Sequence, residues 1–305
     1  MATPGAAGLF RWIVVADSLV RIVYPIPGLG DGDRWVFTKR VMKQSFVIKP
    51  KVRLADFRSD FTDEWDKEEA MVETTKLRTR IGELQAKLYA NTDQAVIVVF
   101  QGMDCSGKDG ATKSLLDAVN PSGTNVVSFK APTNDEQGHD YLWRIHKVVP
   151  HYGYLGVFNR SHYEDVLIVR VLGLKPKEAW KRRFDQINSF EKHLAENGYT
   201  MVKFFLHISK EVQAERLEER LQDKTKNWKF ESGDLKMRER WDEFMGAYED
   251  VLNLCSPKAA RWHLVPADKK WYRDLVIARR VVEALEDLDL KWPPAREDLS
   301  KMKVK

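Results

Sequence analysis

The residues best suited to chemistry begin at Gly102, where the apolar run AVIVVFQ stops and the chain passes through GMDCSGKDG to Gly107-Lys108. The spacing G-x-x-x-x-G-K matches a Walker A loop. In such a loop backbone N–H groups wrap phosphate oxygens, while the lysine and the N-terminus of the next helix supply positive charge. Gly102, Ser106, Gly107 and Gly110 are therefore expected to line a phosphate, with Lys108 beside the transferred group. Two positions depart from the usual loop: Asp109 stands where Ser or Thr normally ligates magnesium, and Asp104 places a carboxylate inside a cradle built for anions. A carboxylate facing a polyanion is repelled unless a cation lies between them, so Asp104 is expected to hold magnesium, directly or through water. A helix N-cap is the alternative for Asp104, and a capping or supporting role is the reading for Asp109.

Two further segments, FKAPTNDEQGHDYLWR at 129–144 and FNRSHYED at 158–165, follow predicted strands and so share the loop's end of the sheet. Arg160, just past a strand, offers a planar fork for phosphate, with a surface ion pair as the alternative. Lys113, on the helix after Lys108, and Lys130, at the end of the second strand, are placed to line a phosphate channel, unless they simply face solvent. His139, His146, His151 and His162 match no zinc spacing, and His139-Asp140 reads as an orienting hydrogen-bonded pair. Cys105 reads as a small loop residue. Trp143, Trp228, Trp241 and Trp271 are expected to pack helices.

These groups need a scaffold, and the pattern supplies one. Leu77, Ile81, Leu84 and Leu88 form the stripe of an amphipathic helix within 64–90. Strands are predicted at 95–101, 124–130, 156–159, 199–207 and 261–266, the fourth nearly all apolar as burial on both faces requires. Between them lie predicted helices at 108–119, around Tyr141–Ile145, from Trp180 to Leu194, after Ser209, from 232 through Leu252, and through Leu275 to Leu285. Strands alternating with helices define an α/β fold, a three-layer α/β/α arrangement around a parallel five-stranded sheet.

Composition sets the remaining bounds. The 305 residues include 50 basic and 45 acidic side chains, a net charge of only +5, so no global field calls for a nucleic-acid or membrane partner. Two cysteines far apart, without ligand spacing, suit a reducing compartment, and the expected location is the cytoplasm. The apolar stretch at 9–29 carries Arg11, Asp17, Arg21, Pro25 and Pro27, which rules against a membrane span. Residues 1–41 are expected to be an extension, disordered or artefactual, with translation beginning at Met42 as one reading. Residues 42–292 form a single domain, and 293–305 a charged tail.

The motifs GMDCSGKDG, SFKAPTNDEQGHDYLWR, GVFNRSHYEDVLIVRV, KFFLHIS, TKNWKFESGDL and VPADKKWYRD, in that order, resemble the series of the polyphosphate kinase 2 family. The resemblance implies a P-loop kinase-like fold with a helical lid at about 209–254, its lysines Lys224, Lys226 and Lys229 closing over polyphosphate. A solvated helical hairpin is the alternative for that segment. It also implies reversible transfer of the terminal phosphoryl group of inorganic polyphosphate to AMP and/or ADP, with Mg2+ as cofactor and Mn2+ as its substitute. ATP is then product or reverse substrate, and a homo-oligomer, a dimer or tetramer, is expected by analogy. Family members often carry Asp where this chain has Asn159, whose amide oxygen can still face magnesium. Glu164 then supplies the missing charge or binds metal at the nucleotide's α-phosphate. The pair Tyr163-Glu164 resembles members that accept AMP as well as ADP. Without the resemblance, the loop alone also permits an ATP-dependent nucleoside or nucleotide kinase, or a non-catalytic nucleotide or polyphosphate sensor.

Overall fold

The computed structural model describes residues 12–14, 19–24, 35–40 and 51–302, and the chain divides after Ser45 into two compact units. In the first, β1 (Trp12–Val14), β2 (Leu19–Tyr24) and β3 (Trp35–Arg40) pair antiparallel in that order. The rest of the expected extension, and Met42, lie outside the described residues.

The second unit is built on five parallel strands: β4 (Ala95–Gln101), β5 (Thr124–Ser128), β6 (Leu155–Asn159), β7 (Tyr199–His207) and β8 (Trp262–Pro266). Their order is β5-β6-β4-β7-β8. Every residue of β4 is buried, as its central place and its β-branched composition require. The chain leaves β4 toward β5 and β6 on one side and returns to β7 and β8 on the other. A crevice therefore opens beyond the C-terminal end of β4, the switch point where such sheets bind ligands. Phe100 on β4 pairs with Asn159 on β6, and Asn159 with Ser128 on β5, so the loops after these three strands emerge side by side.

Helices flank the sheet in two groups. α1 (Lys67–Ala90), capped by Asp66 accepting from the Glu69 N–H, packs along α10 (Lys270–Glu286), which also meets α2 (Lys108–Leu115). α5 (Ile168–Val171) joins α6 (Lys177–Glu196) and α9 (Trp241–Leu254) in the other group. α7 (Lys210–Gln222), capped by Ser209, leads to α8 (Ser232–Glu239). No helix among the described residues is long and apolar enough to cross a membrane.

The structure shortens several predicted elements. α2 ends at Leu115, and the second strand stops at Ser128. The helix expected around Tyr141–Ile145 forms only as the short α4 (Trp143–His146), and a further short helix not expected, α3 (Asn134–Gln137), precedes it. α3 owes its start to a capping box in which Thr133 and Glu136 exchange side-chain and backbone hydrogen bonds of 2.8 and 3.2 Å. The helix predicted from 232 breaks at Arg240, because its apolar stripe serves two places: α9 buries Trp241, Phe244, Tyr248 and Val251, whereas α8 buries nothing and leaves Leu235 exposed. β7 is buried as predicted, but it carries the fully buried Lys203 inside the sheet.

Candidate active site

The glycine loop takes its shape from three backbone angles that suit few residues: Gly102 (φ 151°), Cys105 (φ 65°) and Gly107 (φ 96°). A Cβ at Gly107 would also displace the Arg273 guanidinium from its place against the loop. Arg273, on α10 and only 3% exposed, donates from Nη1 to the Gly107 carbonyl (3.2 Å). From α7, Gln213 donates to the Asp104 carbonyl (3.1 Å) and Arg216 to that of Cys105 (2.9 Å). Arg216 also donates to Ala267 and Asp268 after β8 (2.8 and 2.9 Å), so the loop is fastened to two elements far away in sequence.

Inside this frame the charges converge. Lys108, 7% exposed, turns its ammonium back on the loop and donates to the carbonyls of Gly102 (2.8 Å) and Met103 (3.1 Å). Burial, with Arg160 adding repulsion, lowers its pKa to about 8. Arg160 reaches across from the end of β6 and pairs with Asp104 at 2.6 Å. Burial favours the neutral acid at Asp104, but Lys108 and Arg160 outweigh it and hold the carboxyl below its ordinary range. Arg160 sits at φ 61°, a left-handed conformation that costs a residue with a Cβ on the order of 1 kcal/mol and persists only where the surroundings enforce it.

Glu164 faces the same centre. Burial pushes its carboxyl pKa up against the pull of Arg160 and Lys108, and the Gln101 amide, with its nitrogen toward Oε1 (3.0 Å), supports it. Tyr248 of α9 completes the wall, its hydroxyl pKa raised by burial and by the charges of Glu164 and Asp104. Asp109 lies at the rim, accepting from Asn159 Nδ2 (2.7 Å) and from Lys229 of the lid segment (3.3 Å). Burial disfavours its charge, yet these hydrogen bonds hold its pKa below the ordinary value.

The structure thus gathers Gly102, Asp104, Ser106, Gly107, Lys108, Asp109, Asn159, Arg160 and Glu164 around one crevice, with Gly110 on α2 held close by the Arg273 guanidinium. Lys113, Lys130 and Lys224 are exposed. Lys226 is bound within its own hairpin by Glu219 (2.6 Å) and Asp223 (3.0 Å). His139 and Asp140 do not pair: His139 stacks on Trp143 at 3.9 Å, and Asp140 accepts from the Leu142 N–H. Trp228 is 78% exposed and packs no helix, because the short turn that carries it has no apolar neighbour layer. Reading the sequence missed Gln101, Gln213, Arg216, Tyr248 and Arg273. The signals in the sequence were Arg216 and Arg220 at i, i+4 on one helix face and the place of Arg273 within VPADKKWYRD.

Among the described residues no three His, Cys, Asp or Glu side chains cluster as a metal site. The oxygen donors at the crevice still suit a hard cation: the carboxylates of Asp104 and Glu164, and the amide oxygen of Asn159, whose nitrogen is the atom turned to Asp109.

Known proteins place this architecture. A model of the family Polyphosphate kinase 2 (PPK2) matches residues 64–293. An AMP/ADP-polyphosphate phosphotransferase of Meiothermus ruber is 44% identical over 254 residues, 82% of this chain and 95% of the relative. An ADP-polyphosphate phosphotransferase of Rhodopseudomonas palustris is 42% identical over 71% of this chain and 80% of its own length. The crystal structure of polyphosphate kinase 2 from Arthrobacter aurescens superposes with a TM-score of 0.81 at 40% identity, covering 83% of this chain and 92% of that one. With its glycine loop, parallel sheet and motif order all accounted for across that match, this chain belongs to the polyphosphate kinase 2 family.

Proposed function

We propose that the protein transfers the terminal phosphoryl group of inorganic polyphosphate to AMP and ADP, giving ADP and ATP, and runs the reaction in reverse. The observation that carries this reading is the convergence of Lys108, Asp104, Arg160 and Glu164 where β4 and β6 end. The accepting atom is a phosphate oxygen, already anionic near neutral pH, so no general base has to create the nucleophile. What the reaction needs is alignment and charge cancellation. The loop cradles the terminal phosphates of the polymer, and Lys108 swings from the Gly102 and Met103 carbonyls onto their oxygens. Arg160 exchanges Asp104 for the transferring group.

Asp104, Asn159 and Glu164 would hold magnesium, with manganese as its substitute, and the ion supplies charge neutralisation on the phosphate oxygens when bound. Lys229, with the exposed Lys224, closes over the polymer and keeps water from the anhydride. Lys113 and Lys130 attract the remaining phosphates from the rim. Acceptance of AMP is supported by the pair Tyr163-Glu164 and by the name of the Meiothermus relative. The working form is a homo-oligomer in the cytoplasm, its mass to be read by light scattering.

The assay uses pure protein, magnesium and long-chain polyphosphate with AMP or ADP and no ATP, followed by chromatography of the nucleotides. ADP from AMP and ATP from ADP are expected. Nucleotides at blank level would sink the proposal, and product from AMP only when ATP is added would replace the phosphoryl donor.

A further inference from the structure

β7 reads as an apolar strand, yet its fifth residue, Lys203, is 0% exposed and donates to three oxygens: Glu191 Oε2 (2.6 Å), the Tyr163 hydroxyl (2.7 Å) and the Cys255 carbonyl (2.9 Å). The Tyr163 hydroxyl donates to Glu191 Oε1 (2.5 Å), and His162 Nε2 stands 3.2 Å from the same oxygen. Burial opposes the charge on Glu191, and Lys203 with His162 more than offsets it, so the carboxyl is held below its ordinary value. Replacing such a pair with apolar side chains is often neutral for stability, so holding the core together does not by itself require these charges.

Their placement does point to a use. Glu191 comes from α6 and Lys203 from β7, and both grip the single turn at His162–Asp165 that follows Arg160. The two sides of that segment do different jobs. Arg160 and Glu164 face Asp104 and Gln101 at the crevice, while His162 and Tyr163 face the buried pair. Arg160 also holds a strained left-handed backbone, which something around it has to enforce.

We propose that Glu191 and Lys203 are positioning residues: by clamping His162 and Tyr163 they fix the backbone of residues 160–164 and so aim Arg160 and Glu164 at the transferred phosphate. The inference rests on the roles given above to Arg160 and Glu164. Misplacing a phosphate-gripping group by about 1 Å is enough to cost on the order of 100-fold in rate.

The test uses the full chain, steady-state kinetics with polyphosphate and ADP, and thermal melting. The double variant Lys203→Met with Glu191→Leu removes the charges and keeps the bulk. It is expected to melt within a few degrees of wild type, to lose at least about tenfold in kcat and to keep KM for polyphosphate within about twofold, since the glycine loop is untouched. Placed in an Arg160→Ala background, the same pair of changes should cost clearly less than it does alone, because the residue it aims is gone. Tyr163→Phe, which removes only the hydroxyl link, should lower kcat about fivefold without a matching fall in melting temperature, and it decides the matter if the double variant does not fold. Wild-type kcat in a folded network variant, or fully additive losses with Arg160→Ala, would overturn the positioning role alone. Wild-type kcat in Arg160→Ala itself would instead remove the role of Arg160 on which it stands.

Discussion

Lys108 sits at a conflict between stability and function. Its ammonium is buried beside Arg160, and the folded protein holds its pKa at about 8, against an ordinary 10.5. Between these two values the unfolded chain binds the extra proton, so the stability contributed at this site rises with pH across that window and its full cost is present below about 8. Lys108→Met is therefore expected to melt above wild type near neutral pH, with the gain shrinking toward pH 10, while turnover falls by at least about 1000-fold. Melting curves at three pH values and the chromatographic assay check both halves. At this scale the sequence was legible where spacing carried the chemistry, as in Gly107-Lys108, and opaque where pairing did. Nothing in GMDCSGKDG says that Asp104 is gripped by Arg160, or that Asn159 turns its nitrogen to Asp109, because the two contacts bridge 56 and 50 positions.

Among the elements, the lid segment divides in two. α7 is bolted to the glycine loop through Gln213 and Arg216, whereas α8 buries no side chain and touches the crevice rim through the preceding Lys229. The lysines that look alike in DKTKNWKF should therefore behave differently. Lys229→Ala is expected to raise KM for polyphosphate about threefold, an effect of about 0.7 kcal/mol, as loss of an exposed charge contact predicts. Lys226→Ala should leave it unchanged, because Glu219 and Asp223 already hold that side chain. Kinetics at low salt, where such contacts are strongest, separate the two. The periodicity that located α9 could not show the break at Arg240, since an apolar stripe does not say which of its members reach the core. Nor could it reveal the clamp of Arg216 and Arg273, whose acceptors are backbone carbonyls and leave no mark on side-chain spacing.

For the whole molecule, strand alternation was sufficient to give the parallel sheet, and the order β5-β6-β4-β7-β8 accounts for why three distant motifs meet. What alternation could not give was Lys203, a charge inside a strand chosen for its apolarity, nor the three antiparallel strands of the N-terminal unit, in a span read only as an extension. All the residues gathered at the crevice belong to the unit that starts at Phe46. Deleting residues 1–45 is accordingly expected to leave kcat and both KM values within about twofold, and a larger loss would assign that unit a part in catalysis. Because one nitrogen of the Arg160 guanidinium is already paired with the Asp104 carboxylate 2.6 Å away, an incoming anion has to compete with that carboxylate. A lone orthophosphate offers one group for the exchange, whereas a polymer offers many tethered ones at high effective concentration. With Arg160 in its proposed role, the ion pair is expected to favour chains over small free anions, a selectivity that would come from a contact the ligand must break.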